Sequence, residues 1–399
     1  MLMTGKTDTI LDVEGILVGQ AEDPRGLTGV TVVLAPAGAP AGVDVRGGGS
    51  GTRETTLREP RAAAEVVHGL VLSGGSAFGL DAAGGVMAWL EERNIGFDVG
   101  VTKVPLVAQA ILFDLALGDF RARPDKEMAY KACCSAVSDG GALRWGNHGA
   151  GCGATIGKLL GGPGAMKSGI GSASVRLENG FTVGAVVAVN ALGDVYEDGR
   201  IIAGLRDMEK GGFLNSSRLL LEQAKDLSFA GGKNTTIGII ATNGRFPKSQ
   251  CGKIAAMGQN GLARAIRPVH TTVDGDTLFA LATGQMEASL DAAGEMAAIA
   301  VKYATTAVFT SDNPRHESPE AILDDMVAGL EPGARYLRIA DRAEAIRTAV
   351  MLSRPGDILL IAGKGHETYQ IVGDEKRHFD DREEVRRAFA ALSKPEKRN

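Results

Sequence analysis

One stretch decides the fold: Arg267-Pro-Val-His-Thr-Thr-Val-Asp-Gly-Asp-Thr-Leu-Phe-Ala-Leu-Ala-Thr-Gly284. Its apolar run from Leu278 to Ala282 is typical of a buried strand. A threonine hydroxyl ahead of that strand is a weak nucleophile unless a base lies beside it. Cutting the chain before the threonine supplies the base, because the new α-amine has a pKa of about 7.7–8.0 and can take the proton. Thr-Thr-Val is also ordinary strand sequence and Asp-Gly ordinary turn sequence, so the stretch alone leaves both interpretations open.

Further motifs bear on that choice. Besides His270-Thr271 and Asp274-Gly-Asp276, they are Gly42–Gly49, Leu72–Leu80, Val104–Val107, Phe113–Leu115, Gly149–Lys158, Lys167–Ser174 and Val189–Gly193. Together, from about residue 8 to about residue 294, they resemble the DmpA-type aminopeptidase/D-esterase family, whose relatives include nylon-oligomer hydrolases with a threonine nucleophile. The resemblance implies an α/β fold with αββα layers of the N-terminal-nucleophile kind. It also implies that the chain cuts itself between His270 and Thr271.

The resemblance suggests catalytic residues as well. Thr271 is preferred to Thr272 as the nucleophile, because the resembling hydrolases place their threonine at this point ahead of Asp-Gly-Asp. Asn190 ends an apolar strand and is either a turn-capping residue or an oxyanion-hole donor, the role that the resemblance favours. Lys167 is either a surface charge or, by resemblance, a site lysine. Tyr130, on a predicted helix over residues 126–137, matches a site tyrosine of the family.

Two glycine-rich loops carry weaker signals. The loop from Arg46 to Arg53 is either a tight turn or a wall of backbone N–H groups beside a site. The segment Gly149–Lys158 resembles a phosphate-binding loop, but Cys152 and Leu159 stand where glycine and a hydroxyl residue are required, so the pattern fails.

The family pattern stops near Gly294, and a second resemblance begins. Residues 307–315, ending in Asp-Asn-Pro-Arg, and residues 357–367, ending in Gly-Lys-Gly-His-Glu, resemble the end of the C-terminal domain of the UDP-N-acetylmuramoyl-tripeptide ligase, MurE. We therefore expect two domains, residues 1–294 and a partial Rossmann-like α/β segment over residues 295–399. The ligase residues that hold the incoming diamino acid correspond to Asp312, Asn313, Arg315, Gly363 and Glu367. An ATP-binding loop of the form Gly-x4-Gly-Lys-Ser/Thr is missing from the sequence, so ATP-driven ligation is not expected.

Composition and charge exclude other classes of function. A net charge of −5 without a concentrated basic block argues against nucleic-acid binding. The apolar runs are too short for a membrane span, and the first residues lack a signal-peptide core. Four cysteines with no metal spacing and no disulfide framework point to a reducing cytoplasm. Neither a metal nor a cofactor is expected.

Two functional hypotheses follow. The first is a self-processing, serine/threonine-type aminopeptidase or amide hydrolase that acts on small peptides, amino-acid amides or esters, and that forms a homo-oligomer as its relatives do. The second arises because relatives carry an acidic pair beyond the nucleophile, where this chain has Thr310 and Asp312. In that case the chain is a catalytically impaired fusion whose MurE-like tail binds an amino acid such as diaminopimelate.

Overall fold

The computed structural model describes residues 2–138, 143–197, 199–222, 233–305, 346, 369–372 and 375–392. The chain divides into two units, Met1–Arg206 with Phe213–Ala307, and Asp207–Gly212 with Val308–Asn399. The strands are β1 Leu2–Thr4, β2 Leu17–Asp23, β3 Thr28–Val45, β4 Gly51–Arg53, β5 Val66–Ser73, β6 Phe97–Asp98, β7 Lys103–Val104, β8 Val107–Ile111, β9 Thr155–Ile156, β10 Met166–Lys167, β11 Ile170–Leu177, β12 Thr182–Asn190, β13 Asp194–Glu197, β14 Arg200–Ala203, β15 Thr235–Gly244, β16 Ile266–Arg267, β17 Thr277–Met286, β18 Tyr369–Val372 and β19 Glu375–His378. The helices are α1 Ala82–Glu91, α2 Lys126–Ser138, α3 Ser216–Glu222, α4 Lys248–Ala265, α5 Leu290–Thr305 and α6 Asp381–Leu392.

A long strand, β3, joins two sheet layers in the first unit. The strands pair in the order β1-β11-β12-β15-β17-β3-β5-β8-β4, with β2 also on β3. The first part of β3 pairs with β2 and β5, and its last residues pair with β17. Pairing is antiparallel except for β15 with β17 and β5 with β8. Because β3 takes part in both layers, the strand that follows the junction, β17, is hydrogen-bonded to the strand that leads into the glycine loop.

Apolar side chains from both layers meet in the main core. This core contains Val186, Ile239 and Phe279 from one layer together with Val33 and Leu70 from the other. A second core packs the opposite face of the β3–β5–β8 layer against helices α1 and α2, while α4 and α5 cover the β12–β15–β17 layer. The order helix, sheet, sheet, helix confirms the predicted αββα layering.

One predicted strand is wrong in its first half. The sequence of residues 10–18 predicts a strand, because it is rich in apolar residues between polar turns, but Ile10–Asp12 form a 3-10 helix and β2 begins only at Leu17. The reason is local, because Thr9 caps this turn and the Asp12 carboxylate accepts from the backbone N–H of both Thr7 and Thr9. Such side-chain bonds compete with the extended chain. The apolar, β-branched runs over residues 29–34, 66–72, 182–190 and 235–241 also predict strands, and they lie in β3, β5, β12 and β15.

Helix α5 crosses the predicted domain boundary. It runs from Leu290 to Thr305 and packs on β11 and β12, so the first residues of the MurE-like segment complete the α-layer of the hydrolase unit. In the second unit the described elements are the antiparallel hairpin β18–β19 and helix α6. The tail residues Asp312, Asn313, Arg315, Gly363 and Glu367 lie outside the described residues. The division at residue 294 stays a prediction.

Candidate active site at the His270–Thr271 junction

The glycine loop after β3 holds the backbone of the junction. The N–H of Gly48 donates to the Thr271 carbonyl at 3.3 Å, and the N–H of Gly49 donates to the Asp274 carbonyl at 2.8 Å. A Cβ on Gly48 would lie 2.3 Å from the Thr272 carbonyl oxygen, closer than real side chains come. The loop can approach the junction this closely only because these positions lack side chains. It is therefore a wall of N–H groups beside the junction, the second of the two interpretations of its sequence.

A buried carboxylate lies directly on the Thr271 hydroxyl. Thr271 Oγ1 donates to Asp274 Oδ2 at 2.5 Å, and the Thr271 N–H donates to the same oxygen at 3.2 Å. The other oxygen, Oδ1, accepts from the Leu192 N–H at 3.3 Å. Asp274 is 1% exposed. Burial and the negative charge of Asp276 raise the pKa of Asp274 to about 6, against the opposing effect of these hydrogen bonds. A carboxylate with that pKa is a proton acceptor suited to near-neutral pH.

The residue before Thr271 is held by a second buried carboxylate. Both the N–H and Nδ1 of His270 contact Asp276 Oδ2, at 3.0 and 2.8 Å, and Asp276 Oδ1 accepts from the Thr236 N–H at 2.6 Å. His270 has φ of 57°, in the left-handed region that few non-glycine residues adopt. The two aspartates of the Asp-Gly-Asp turn thus hold the two sides of the same peptide bond.

Asn190 lies at the end of β12 with its amide fixed on both sides. Its Nδ2 donates to the Phe113 carbonyl at 3.0 Å, while its Oδ1 accepts from the Thr155 N–H at 3.0 Å and from Lys158 Nζ at 2.9 Å. Because a lysine can only donate, the Lys158 contact fixes which side of the amide is oxygen. Asn190 is fully buried.

Lys158 is a residue that the sequence analysis did not select. Its Nζ donates to the Asn190 carbonyl at 2.7 Å and to the Lys233 carbonyl at 3.0 Å, in addition to the Asn190 side chain. Burial lowers the pKa of Lys158 to about 7, while the charges of Asp274, Asp114 and Asp276 oppose that shift. The sequence did contain a signal, because Lys158 is the last residue of the Gly149–Lys158 motif. That motif was set aside because it does not match a phosphate-binding loop.

Lys167 is buried nearby but bonds to other partners. Its Nζ donates to Asn147 Oδ1 at 2.9 Å and to the carbonyls of Ala154 and Ser168 at 3.0 and 3.1 Å. Burial lowers its pKa to about 8, and the neighbouring Cys152 and Asp114 side chains oppose that shift. The described contacts join Lys158, and not Lys167, to Asn190.

Tyr130 is not brought to this cluster. It lies on α2, packs at the edge of the outer core beneath α1 and α2, and donates its hydroxyl to Glu92 Oε2 at 2.6 Å. That carboxylate hydrogen bond raises the pKa of the Tyr130 phenol. The structure therefore brings together the predicted residues His270 and Thr271 with Asp274 and Asp276. Asn190 lies two residues before Leu192, whose N–H donates to Asp274.

Comparison with known proteins shows which family this chain belongs to. The model of peptidase family S58 matches residues 8–330. The chain belongs to peptidase family S58. An uncharacterized aminopeptidase of Mycobacterium leprae is 43% identical over 307 residues, covering 73% of this chain and 83% of that protein. The 6-aminohexanoate-oligomer endohydrolase of a Kocuria species is 32% identical over 295 residues, covering 71% of this chain and 77% of that enzyme. Membership of S58 makes the chain a peptidase-type hydrolase.

A solved structure confirms the fold. The L-aminopeptidase D-Ala-esterase/amidase of Ochrobactrum anthropi, described as a variant of the Ntn hydrolase fold, superposes with a TM-score of 0.55 at 21% identity, over 76% of this chain and 86% of that one. The tail resembles a different family, as expected from its motifs. The diaminopimelate-adding ligase of Bacillus cereus is 59% identical over 94 residues, which are 24% of this chain and 19% of that enzyme.

Two observations concern other classes of protein. Within the described residues, no helix is both long and apolar enough to cross a membrane. In the same part of the chain, no cluster of three or more histidine, cysteine or acidic side chains is arranged to hold a metal ion.

Proposed function

We propose that this S58 chain is a self-processing amide hydrolase with Thr271 as its N-terminal nucleophile, acting on small peptides, amino-acid amides or esters. The observation that carries the proposal is the 2.5 Å hydrogen bond from Thr271 Oγ1 to Asp274 in the uncut chain. Before the α-amine exists, the Thr271 hydroxyl needs another base, and Asp274 is the group in contact with it.

Self-cleavage then proceeds by an N-to-O acyl shift. Thr271 Oγ1 attacks the carbonyl carbon of His270 and gives its proton to Asp274. The C–N bond between His270 and Thr271 breaks, and the departing nitrogen takes the proton back from Asp274. The resulting ester is hydrolysed by water, which leaves a carboxylate on His270 and a free α-amine and hydroxyl on Thr271. The left-handed φ of 57° at His270 and its contacts with Asp276 support this assignment, since both hold the bond to be cut.

The same groups serve hydrolysis after processing. The new α-amine of Thr271, with a pKa of about 7.7–8.0 in unperturbed chains, takes the hydroxyl proton as Oγ1 attacks the substrate carbonyl. The Thr271 nitrogen is 3.2 Å from Asp274 Oδ2, a distance at which the carboxylate can orient the amine. An asparagine amide carries two N–H donors, and Asn190 uses one on Phe113. We assign the other to the oxyanion.

The two lysines take different parts in this scheme. We assign Lys158 two roles: it holds the Asn190 amide and offsets the charge of Asp274. Lys158 Nζ donates to Asn190, and the negative charge of Asp274 raises the pKa of Lys158. Lys167 remains a candidate for keeping the amine in its neutral form. Tyr130 remains a candidate only through the family resemblance.

We also propose that the chain forms a homo-oligomer and acts in the cytoplasm. Support for association comes from the hairpin of β6 and β7, where Phe97, Val99 and Val101 are 55, 48 and 92% exposed. Contiguous exposed apolar side chains of this kind mark interaction surfaces.

Intact-mass measurement of the purified full chain tests the central proposal. Cleavage should give fragments of residues 1–270 and 271–399 whose masses, less one water, sum to the 41.4 kDa chain. A single uncut chain that persists after long incubation at neutral pH would contradict self-processing.

The second candidate function is amino-acid binding by the tail. It rests on the 59% identity of 94 residues to a diaminopimelate-adding ligase. The matching residues Asp312, Asn313 and Arg315, with Gly363 and Glu367, would complement a zwitterion, since arginine and carboxylates pair with its two charges. Calorimetric titration of the full chain with diaminopimelate tests this proposal. Heat that disappears in Arg315→Ala supports it, and no heat above that of buffer contradicts it.

A further inference from the structure

A cavity lies at the far end of β8 from the junction. Its volume is about 220 Å³, and among the residues lining it are Arg53, Leu57, Arg58, Met87, Val107 and Ala108. A water molecule takes about 30 Å³ of liquid volume, so the cavity could hold several waters or one small organic molecule. Most of its walls are apolar, and its polar character comes from two arginines and the exposed Glu54.

The two arginines have hydrogen-bonding capacity left over. Arg58 is only 3% exposed, and its guanidinium donates to the Val66 carbonyl at 3.2 Å. Its buried Nε has no partner within the described part of the chain. Among the described residues, Arg53 donates to the Leu80 carbonyl at a long 3.5 Å and to the Met87 sulfur at 3.4 Å. Neither forms an ion pair with any described carboxylate. Both arginines line the cavity, so an acceptor inside it would supply hydrogen bonds that these guanidinium groups lack.

Strand register separates the cavity from the junction. Strand β4 pairs with β8 so that Gly51 is opposite Ile111 and Arg53 is opposite Gln109. The chain beyond Ile111 leads to Phe113, which contacts Asn190, whereas the cavity is lined by the opposite end of β8 at Val107. At about 3.3 Å per residue, Val107 and Ile111 are roughly 13 Å apart. The cavity is therefore not the space in front of Thr271.

We propose that this cavity binds a small monocarboxylate with a short aliphatic chain. The carboxylate would accept from the guanidinium groups of Arg53 and Arg58, which both line the cavity, because a guanidinium matches a carboxylate in shape and charge. The aliphatic chain would lie against Leu57, Val107 and Ala108. Apolar walls with a few convergent polar groups are typical of small-molecule sites. The proposal does not depend on self-processing, since it concerns a different end of the sheet.

Calorimetric titration of the full chain with sodium hexanoate tests the proposal, with hexan-1-ol as the uncharged ligand of the same length. We expect hexanoate to bind at one site per chain and at least about tenfold more tightly than hexan-1-ol, because charged hydrogen bonds carry the difference. Absence of hexanoate binding, or equal affinity for the two ligands, would overturn the proposal.

Variants locate the site. Arg58→Gln and Arg53→Gln should each weaken hexanoate binding about tenfold or more, and Leu57→Trp should block it by filling the cavity while both arginines remain. Arg61→Gln is the matched control, since Arg61 is a nearby arginine whose side chain is 86% exposed, and its affinity should equal that of the parent. Because Arg58→Gln can impair folding, the judgement rests on Arg53→Gln and Leu57→Trp if Arg58→Gln does not fold. Unchanged affinity in those two variants would contradict the assignment.

Discussion

Lys158 and Lys167 are two buried lysines close together in sequence, and their surroundings differ. Both have pKa values lowered by burial, to about 7 and about 8. Lys158 donates to both oxygens of Asn190, and the charges of Asp274 and Asp276 raise its pKa against the effect of burial. Lys167 donates to Asn147 and to backbone carbonyls, and the groups that oppose the lowering of its pKa are Cys152 and Asp114. Burial alone therefore does not show which of the two lysines acts on the nucleophile. The distinguishing feature is which charge and which polar group the ammonium contacts.

The largest expected effect, with which the two lysine variants are compared, is that of removing the proposed nucleophile. Thr271→Ala removes the hydroxyl that we propose attacks in both processing and hydrolysis, so we expect both rates to fall by roughly 10⁴-fold or more. The fold should survive, because Thr271 is only partly buried. Processing is measured by gel densitometry over time, and hydrolysis with an amino-acid p-nitroanilide.

Thr272→Ala is the matched control for that change. Thr272 is exposed and directly adjacent, so its variant should process at nearly the parent rate. If Thr271→Ala instead yields a fragment that begins at residue 272, the nucleophile is Thr272.

The lysine pair itself gives the next largest effect. Lys158→Met should slow processing by about 10²-fold, because Asn190 loses the donor that holds its amide and Asp274 loses an opposing charge. Lys167→Met should slow it by about tenfold or less. Lys131→Met, an exposed lysine paired with Glu127 on α2, controls for removal of a charge. Equal effects of Lys158→Met and Lys167→Met would remove the distinction drawn between them.

The same pair shows how far the sequence could lead. The apolar run of β17, the threonine before it and the glycine loop were all identifiable, because each depends on local composition and periodicity. The choice between Lys158 and Lys167 was not, because it depends on which side chain points at Asn190 once two sheets are packed. Asp274 was identified as part of a turn, and its contact with Thr271 appears only when the turn closes. Tyr130 had the right residue type on the right kind of helix, but packing placed it beside Glu92.

The two lysine variants should also differ, by a smaller effect, in how the processing rate depends on pH. Asp274 must be ionised to accept the Thr271 proton, and its pKa is raised to about 6. The rate should therefore rise with pH up to about 6 and fall by roughly tenfold per pH unit below it. Lys158 lies in the field of Asp274, so removing its positive charge disfavours the ionised carboxylate. Lys158→Met should move the midpoint to higher pH, and Lys167→Met should leave it in place. A processing rate that does not change between pH 5 and 8 would contradict the role of Asp274.

The smallest expected effect concerns Gly157, the residue before Lys158. Gly157 has φ of 66°, and a Cβ there would lie 2.1 Å from the Leu205 nitrogen, whereas Gly161 has φ of 85° with nothing within 4 Å of its Cβ. Gly161 has ψ of −167°, in a positive-φ region that is essentially restricted to glycine, so both alanine variants incur a backbone cost of about 1–3 kcal/mol. Gly157→Ala adds a steric conflict of about 1–3 kcal/mol and displaces the neighbouring Lys158. In urea unfolding Gly157→Ala should therefore be less stable than Gly161→Ala by about that amount, and it alone should slow processing. Equal losses of stability would mean that the loop before Lys158 can move away from Leu205, and that the close approach does not position the lysine.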